Sequence, residues 1–212
     1  MTSNKTAAFF DLDGTLTRKD TFLEFLKFCR GKRIYFFCLL FLSPYIVLYY
    51  LKIYPNYKLK EKFFSFYFRG LSKEEVKKVG DEFSLTEMPR LVMPEAIQHL
   101  QSHKLRGHDV FILTASSDIW LSAWCEKLNL ELISTKFQTQ HGFYTGKIEG
   151  KNCYGIEKTY RIKELITDYS VTIGYGDSRA DRPFLNLMNH GFNLSLTPEN
   201  LSTLANLKDL NY

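Results

Sequence analysis

The chain has 212 residues, 45% of them apolar and 16% aromatic, which supports a sizeable core and excludes a disordered chain. Its net charge of +5 is mild, so the distribution of charge matters more than its sum. The cysteines Cys29, Cys38, Cys125 and Cys153 form no CxxC pair and have no His at zinc-ligand spacing; this excludes a zinc ribbon and points to reduced thiols in a cytosolic protein.

In chain order, residues 7–12 of "AAFFDLDGTLT" form a short apolar run that predicts a buried strand. The acidic motif begins so near Met1 that no signal peptide is expected. Residues 20–90 read as mostly helical, with a fresh helix start at Ser72 and Glu75 completing a capping box. Pro94 opens a further helix that Gly107 stops. "HDVFILTAS" is a second buried strand, "DIWLSAWCEKLN" a short helix and "LELISTKF" another strand. "FQTQHGFYTGKI" alternates around His141-Gly142 and predicts a hairpin. "EKTYRIKELIT" is helical, "SVTIGYGD" is a third core strand, and "GFNLSL" is an edge strand.

Strands alternating with helices predict an α/β fold with a parallel sheet and helices on both faces. Ligands in such sheets bind at the carboxyl ends of the strands. Here those ends read "DLD", "TAS" and "GDS". Asp11 and Asp13 crowd one strand end, and two close like charges call for a positive partner. A hard divalent cation such as Mg²⁺ suits these oxygen donors. Asp177 and Asp181 in "GYGDSRAD" supply acids at another strand end.

These residues resemble the four motifs of the haloacid dehalogenase-like hydrolases, in that family's order and across essentially the whole chain. Asp11 to Thr15 resembles the first motif and Thr114 the second; Lys158 resembles the third, and Gly176-Asp177-Ser178 through Asp181 the fourth. The resemblance implies a Rossmann-like core, residues 1–19 and 91–212, with an inserted helical cap over residues 20–90 like that of the phosphoserine-phosphatase branch. It implies a phosphatase in which Asp11 is the nucleophile and Asp13 the general acid and base. Mg²⁺ would be held by Asp11, the Asp13 carbonyl and Asp177, while Thr114 and Lys158 hold phosphoryl oxygens. Gly14, Ala115 and Asp181 would support them, with Ser116 and Ser117 as alternative hydroxyls near Thr114.

Asp20 stands where that branch carries an acid for the substrate amine, and it equally fits a helix N-cap. Arg69 is the cap's candidate for the branch's carboxylate-binding arginine stretch, but its context, "FYFRGLSKEE", differs from that stretch. Residues 34–51, "IYFFCLLFLSPYIVLYYL", carry no charge and reach the length of a membrane-span candidate. A single crossing would place Asp11 and Asp177 on opposite sides of a bilayer, so the segment is expected to pack inside the cap, lie in the interface, or dip and return with a bend at Pro44. Between residues 25 and 62 stand eight Lys or Arg against Glu61 alone, a local charge of +7. That pattern fits peripheral contact with an anionic membrane, on the inner face if the protein is cytoplasmic, and fits a buried hairpin with a basic rim equally.

The "FDLDGTLTRKDTF" and "TASSDIW" contexts and the cap's character also resemble the phosphatidylglycerophosphatase C-type members, which implies a lipid phosphate as substrate. A soluble phosphatase of small metabolites is the main alternative. A phospho-accepting receiver domain fits poorly, because Asp13 occupies the position that activates water. No P-loop occurs and the basic residues flank aliphatic sequence, so no nucleic-acid partner is expected.

Overall fold

A computed structural model describes residues 5–206. Its centre is a six-stranded sheet in the order β4-β3-β2-β1-β5-β6, built from β1 (Thr6–Phe10), β2 (Asp109–Ser117), β3 (Glu131–Gln140), β4 (Phe143–Glu149), β5 (Val171–Gly176) and β6 (His190–Asn193). All neighbours run parallel except β3 and β4, the predicted hairpin, which turns through His141 and Gly142 at positive φ.

Side chains alternate along β1, so Ala8 and Phe10 enter one core while Ala7 and Phe9 enter a second on the opposite face. Both faces are covered, which explains why β1 reads as an unbroken apolar run. The larger core takes residues from α5 (Pro94–Leu105) and α6 (Ser122–Leu128); the smaller takes Ile162 of α7 (Ile156–Ile162) and Phe184 and Leu185 of α8 (Arg182–Leu185). This is the α/β Rossmann-type architecture expected. The helix α9 (Pro198–Asn206) follows β6, the predicted edge strand.

Between β1 and β2 the chain forms α1 (Thr21–Tyr50), α2 (Asn56–Phe68), α3 (Lys73–Thr86) and the single turn α4 (Met88–Leu91). Ser72 and Glu75 make the predicted capping box at the start of α3. These helices pack on the larger core through an aromatic cluster, in which Phe25 stacks on Trp120 and Phe68, and Phe64 lies face to face with Phe137 of β3.

The expected bend at Pro44 is not there. The long helix breaks instead at Gly31, at φ 76 and ψ 166, a conformation that glycine adopts without Cβ strain. Pro44 sits inside a continuing helix. The Leu40 carbonyl, which would have paired with the amide that proline lacks, accepts the Ser43 hydroxyl at 2.7 Å instead. Beyond Gly31, Tyr35, Cys38 and Leu42 face inward, while Phe36, Phe37, Leu40, Phe41, Val47 and Tyr50 are exposed. Only 17% of the helix's most apolar stretch is buried.

Candidate active site

The site forms where β1, β2 and β5 end. Pairing of β1 with β5 puts the Asp11 amide 2.9 Å from the Tyr175 carbonyl, so Asp11 leaves its strand beside the strand that delivers Asp177. Gly14 turns the chain at φ +92, and a Cβ there would occupy the Asp177 carboxylate. Thr15 then donates its hydroxyl within reach of Asp177 Oδ1 at 3.1 Å and Asp11 Oδ2 at 3.2 Å. The hydroxyl carries one proton, so these two contacts share it. The "DGT" run thereby joins two strand ends that are far apart in sequence.

Lys158, on α7, is 2% exposed. Its Nζ donates to Asp11 Oδ1 at 2.5 Å and to Asp181 Oδ1 at 2.7 Å. Asp181 Oδ2 accepts from the Ser178 hydroxyl and amide, which fixes the carboxylate that orients the lysine. Burial alone would depress the Lys158 pKa, but Asp11 and Asp181 outweigh it and hold the ammonium charged.

Asp11, Asp177 and Asp181 have carboxylate oxygens within 4.8 Å of one another. One ammonium cannot neutralise three such acids. Burial therefore pushes the Asp11 carboxyl well above the ordinary carboxylate range, against the pull of Lys158, and Asp181 adds to the rise. Asp177 is raised as well, by burial first, with the Thr15 hydrogen bond opposing and Asp181 reinforcing it. Crowded hard oxygen donors with surplus negative charge are what a divalent cation such as Mg²⁺ takes as ligands, so the donor set fits that ion.

Asp13 faces a different set of partners. Its Oδ1 accepts from the Thr21 amide at 2.7 Å, at the first residue of α1. Its Oδ2 accepts from the Ser116 hydroxyl at 2.6 Å, at the end of β2. Burial is the main cause of an Asp13 pKa of about 6, which nearby Asp20 also raises and the Ser116 and Thr21 hydrogen bonds restrain. A carboxyl near that value can both give and take a proton close to neutral pH.

Thr114 is buried on β2, its hydroxyl oxygen accepting from the Ser116 amide at 3.0 Å. That leaves its own proton to donate. Ala115 offers its carbonyl to Lys60 Nζ at 2.7 Å. Ser117 is turned away, bonded to Asp118 and to the Ile119 amide. Asp20 caps α1 through the Leu23 amide at 3.0 Å, the N-cap alternative of the sequence.

Sequence reasoning therefore brought Asp11, Lys158, Asp177 and Asp181 to one cluster, with Asp13 beside it. It did not identify Thr15 as the link between Asp11 and Asp177, Thr21 and Ser116 as the clamp on Asp13, or Lys60 on α2. The "DGT" run carried a signal for Thr15. A lysine in a lysine-rich helix carried none.

The family profile described as haloacid dehalogenase-like hydrolase matches residues 8–186. Protein CicA of Caulobacter vibrioides is 31% identical over 179 residues, covering 83% of this chain and 80% of its own. A probable phosphatase of Mycobacterium tuberculosis is 26% identical over 194 residues, covering 88% of this chain and 67% of its own. A phosphoserine phosphatase solved as a phospho-aspartyl intermediate analogue shares the fold, with a TM-score of 0.60, 19% identity and coverage of 87% and 83% of the two chains. The chain belongs to the haloacid dehalogenase-like hydrolase family.

Proposed function

We propose that this hydrolase is a Mg²⁺-dependent phosphomonoesterase that works through an aspartyl-phosphate on Asp11 and acts on a lipid phosphate at a membrane surface. The observation that carries the phosphatase reading is the buried cluster in which Lys158 binds Asp11 and Asp181 while Asp13, two residues from Asp11, sits in a separate clamp.

The reaction follows from that separation of duties. Asp11 forms a bond to phosphorus as the bond to the leaving oxygen breaks, and Asp13 gives that oxygen a proton. Water then attacks the phosphoryl group, Asp13 takes back a proton, and the Asp11–phosphorus bond breaks to release inorganic phosphate. Lys158 and the Thr114 hydroxyl stabilise phosphoryl oxygens through both steps. The Asp11 and Asp177 carboxylates and the Asp13 carbonyl would hold Mg²⁺, which would supply positive charge to keep Asp11 ionised and offset its repulsion of the phosphate. Gly14 keeps a side chain out of the space beside Asp177.

The lipid reading is supported by α1. By length and composition it could cross a membrane, yet the first residue of α1 and the early part of α2 reach the same site, through Thr21 to Asp13 and through Lys60 to Ala115. A crossing helix would separate those contacts. An interfacial placement keeps them together and covers the exposed face formed by Phe36, Phe37, Leu40 and Phe41 with acyl chains. Lys32, Arg33, Lys52 and Lys58 border the apolar stretch in sequence, and each such cation adds about 1 kcal/mol on an anionic surface.

The test is phosphate release with Mg²⁺ from p-nitrophenyl phosphate and from a phosphomonoester lipid in anionic vesicles, with vesicle flotation in parallel. Turnover of both and co-flotation are expected. Efficient turnover of soluble esters alone, with no flotation, would leave a phosphatase of small metabolites in place of the lipid reading.

A further inference from the structure

Lys60 differs from the other lysines of its helix. Its Nζ points into the molecule, bonded to the Ala115 carbonyl at 2.7 Å and lying 3.5 Å from Asn152 Oδ1. It also lies 5.7 Å from the centre of the Phe22 ring. Both oxygen partners are neutral dipoles, and among the described residues no carboxylate pairs directly with it. Burial lowers its pKa, with Asp20 and Asp13 opposing the drop at longer range. A desolvated ammonium held only by dipoles is costly, and an arriving anion would relieve that cost.

Its position is specific. Ala115 lies between Thr114 and Ser116, the residue whose hydroxyl holds Asp13, and Phe22 follows Thr21, whose amide holds the same carboxylate. Lys60 thus stands on the side of the site from which Asp13 would protonate a leaving group. Asn152 locks it there, accepting from the Thr135 hydroxyl of β3 at 2.9 Å and donating to Asn56 of α2 at 3.2 Å.

From Lys60 and Asp20 a cavity of about 400 Å³ extends between α1 and α2. Its walls include Phe22, Phe63, Leu39, Ile46, Tyr49 and Tyr50, so one end is charged and the rest is largely apolar. Asp20 keeps its charge while its carboxylate accepts from the Leu23 amide at 3.0 Å, so it offsets part of the Lys60 charge at longer range without pairing with it directly. The volume is that of a small-ligand site, and the polarity runs from cation to hydrocarbon.

We infer that Lys60 is a specificity-determining residue that binds a second anionic group on the leaving side of the substrate, and that the groove between α1 and α2 takes an apolar chain attached to it. The preferred substrate is then an amphiphilic phosphomonoester with a second negative charge. This deepens the lipid-phosphatase reading and rests on it.

The test uses the full chain with Mg²⁺ and three substrates: p-nitrophenyl phosphate, a short-chain diacyl lipid carrying both a phosphodiester and a terminal phosphomonoester, and the deacylated form of that lipid. Lys60→Met should lower kcat/KM for the lipid relative to p-nitrophenyl phosphate by about tenfold or more, and Lys60→Arg should retain most of that ratio. Leu39→Trp, which narrows the groove, should lower kcat/KM for the lipid relative to its deacylated form. Thermal melting identifies any variant that fails to fold, and the Leu39 variant then carries the test. A lipid ratio that moves less than about twofold in folded Lys60→Met, or an undiminished chain preference in Leu39→Trp, overturns the inference. Absence of any p-nitrophenyl phosphate turnover by the unaltered protein would instead remove the phosphatase reading, and this inference with it.

Discussion

Ser116 donates its hydroxyl to Asp13 Oδ2 across 2.6 Å, with Thr21 Oγ1 2.9 Å behind it and Trp120 Nε1 3.3 Å from that oxygen. Counting protons orders the chain: Ser116 has one to give and gives it to Asp13, so the Thr21 hydroxyl donates to Ser116 and the indole donates to Thr21. The acid is thus held by a relay spanning β2, the start of α1 and the turn after β2. Ser116→Ala removes a hydrogen bond that restrains the Asp13 pKa. The alkaline limb of the kcat/KM profile should therefore move to higher pH. The rate should fall about tenfold or more, the range for a hydrogen bond to a charged group. A pH–rate series on both proteins measures this.

Asp177→Asn has two opposite effects. It removes one of three crowded acids, among which Asp11 and Asp177 are already raised in pKa, by burial first. Without Mg²⁺ the variant should melt no lower than the unaltered protein. With Mg²⁺ the unaltered protein should gain stability by mass action, and the variant should lose most of that gain along with its turnover. Thermal melts at increasing Mg²⁺ read both effects.

Gly14→Ala combines a residue at φ +92 with a Cβ directed onto the Asp177 carboxylate. The expected outcome is a loss of about 1–3 kcal/mol of stability and a larger loss of activity, because the displaced carboxylate is one of the proposed metal ligands. Thermal melting and p-nitrophenyl phosphate turnover test this.

A buried histidine cluster sets the acid side of stability. His103 bonds His108 and the Tyr175 hydroxyl, and burial lowers its pKa from 6.5 to about 3, with His99 and His108 adding to the drop. The unfolded chain therefore binds the proton first. Stability from this group is complete above pH 6.5 and is lost as pH falls from there toward 3. At pH 5 the loss is about 2 kcal/mol. Asp11 and Asp13 have the opposite sign, since their raised pKa values favour the folded state at low pH. The comparison must therefore be differential: between pH 7 and pH 5, His103→Leu should lose less stability than the unaltered protein, measured by denaturant unfolding.

The strands and their acidic ends were legible because their signals are local. An apolar run ending in "DLDGT" states its burial and its chemistry together, and "HG" between alternating segments states its turn. The break in α1 was misplaced because proline is the stronger sequence signal. Ser43 repairs the carbonyl left by Pro44, while Gly31 exploits a backbone angle that its neighbours cannot adopt cheaply. Asp20 could not be resolved between cap and substrate ligand, since both uses want an acid at a helix start. Lys60 and the clamp of Thr21 and Ser116 on Asp13 were invisible for another reason. They depend on how helices placed between β1 and β2 return to the end of β2, a long-range packing outcome that no spacing encodes.

The central claim is that Asp11 carries the phosphoryl group, and acid-quenched mass spectrometry of the protein with p-nitrophenyl phosphate and Mg²⁺ tests it most directly. Nitrophenolate leaves without a proton, so Asp13→Asn should still become phosphorylated but should hydrolyse slowly. One phosphoryl group should accumulate on the peptide bearing Asp11 in that variant and be absent from Asp11→Asn. A phosphoryl group on a different residue, or phosphate release that persists in Asp11→Asn, would contradict the account.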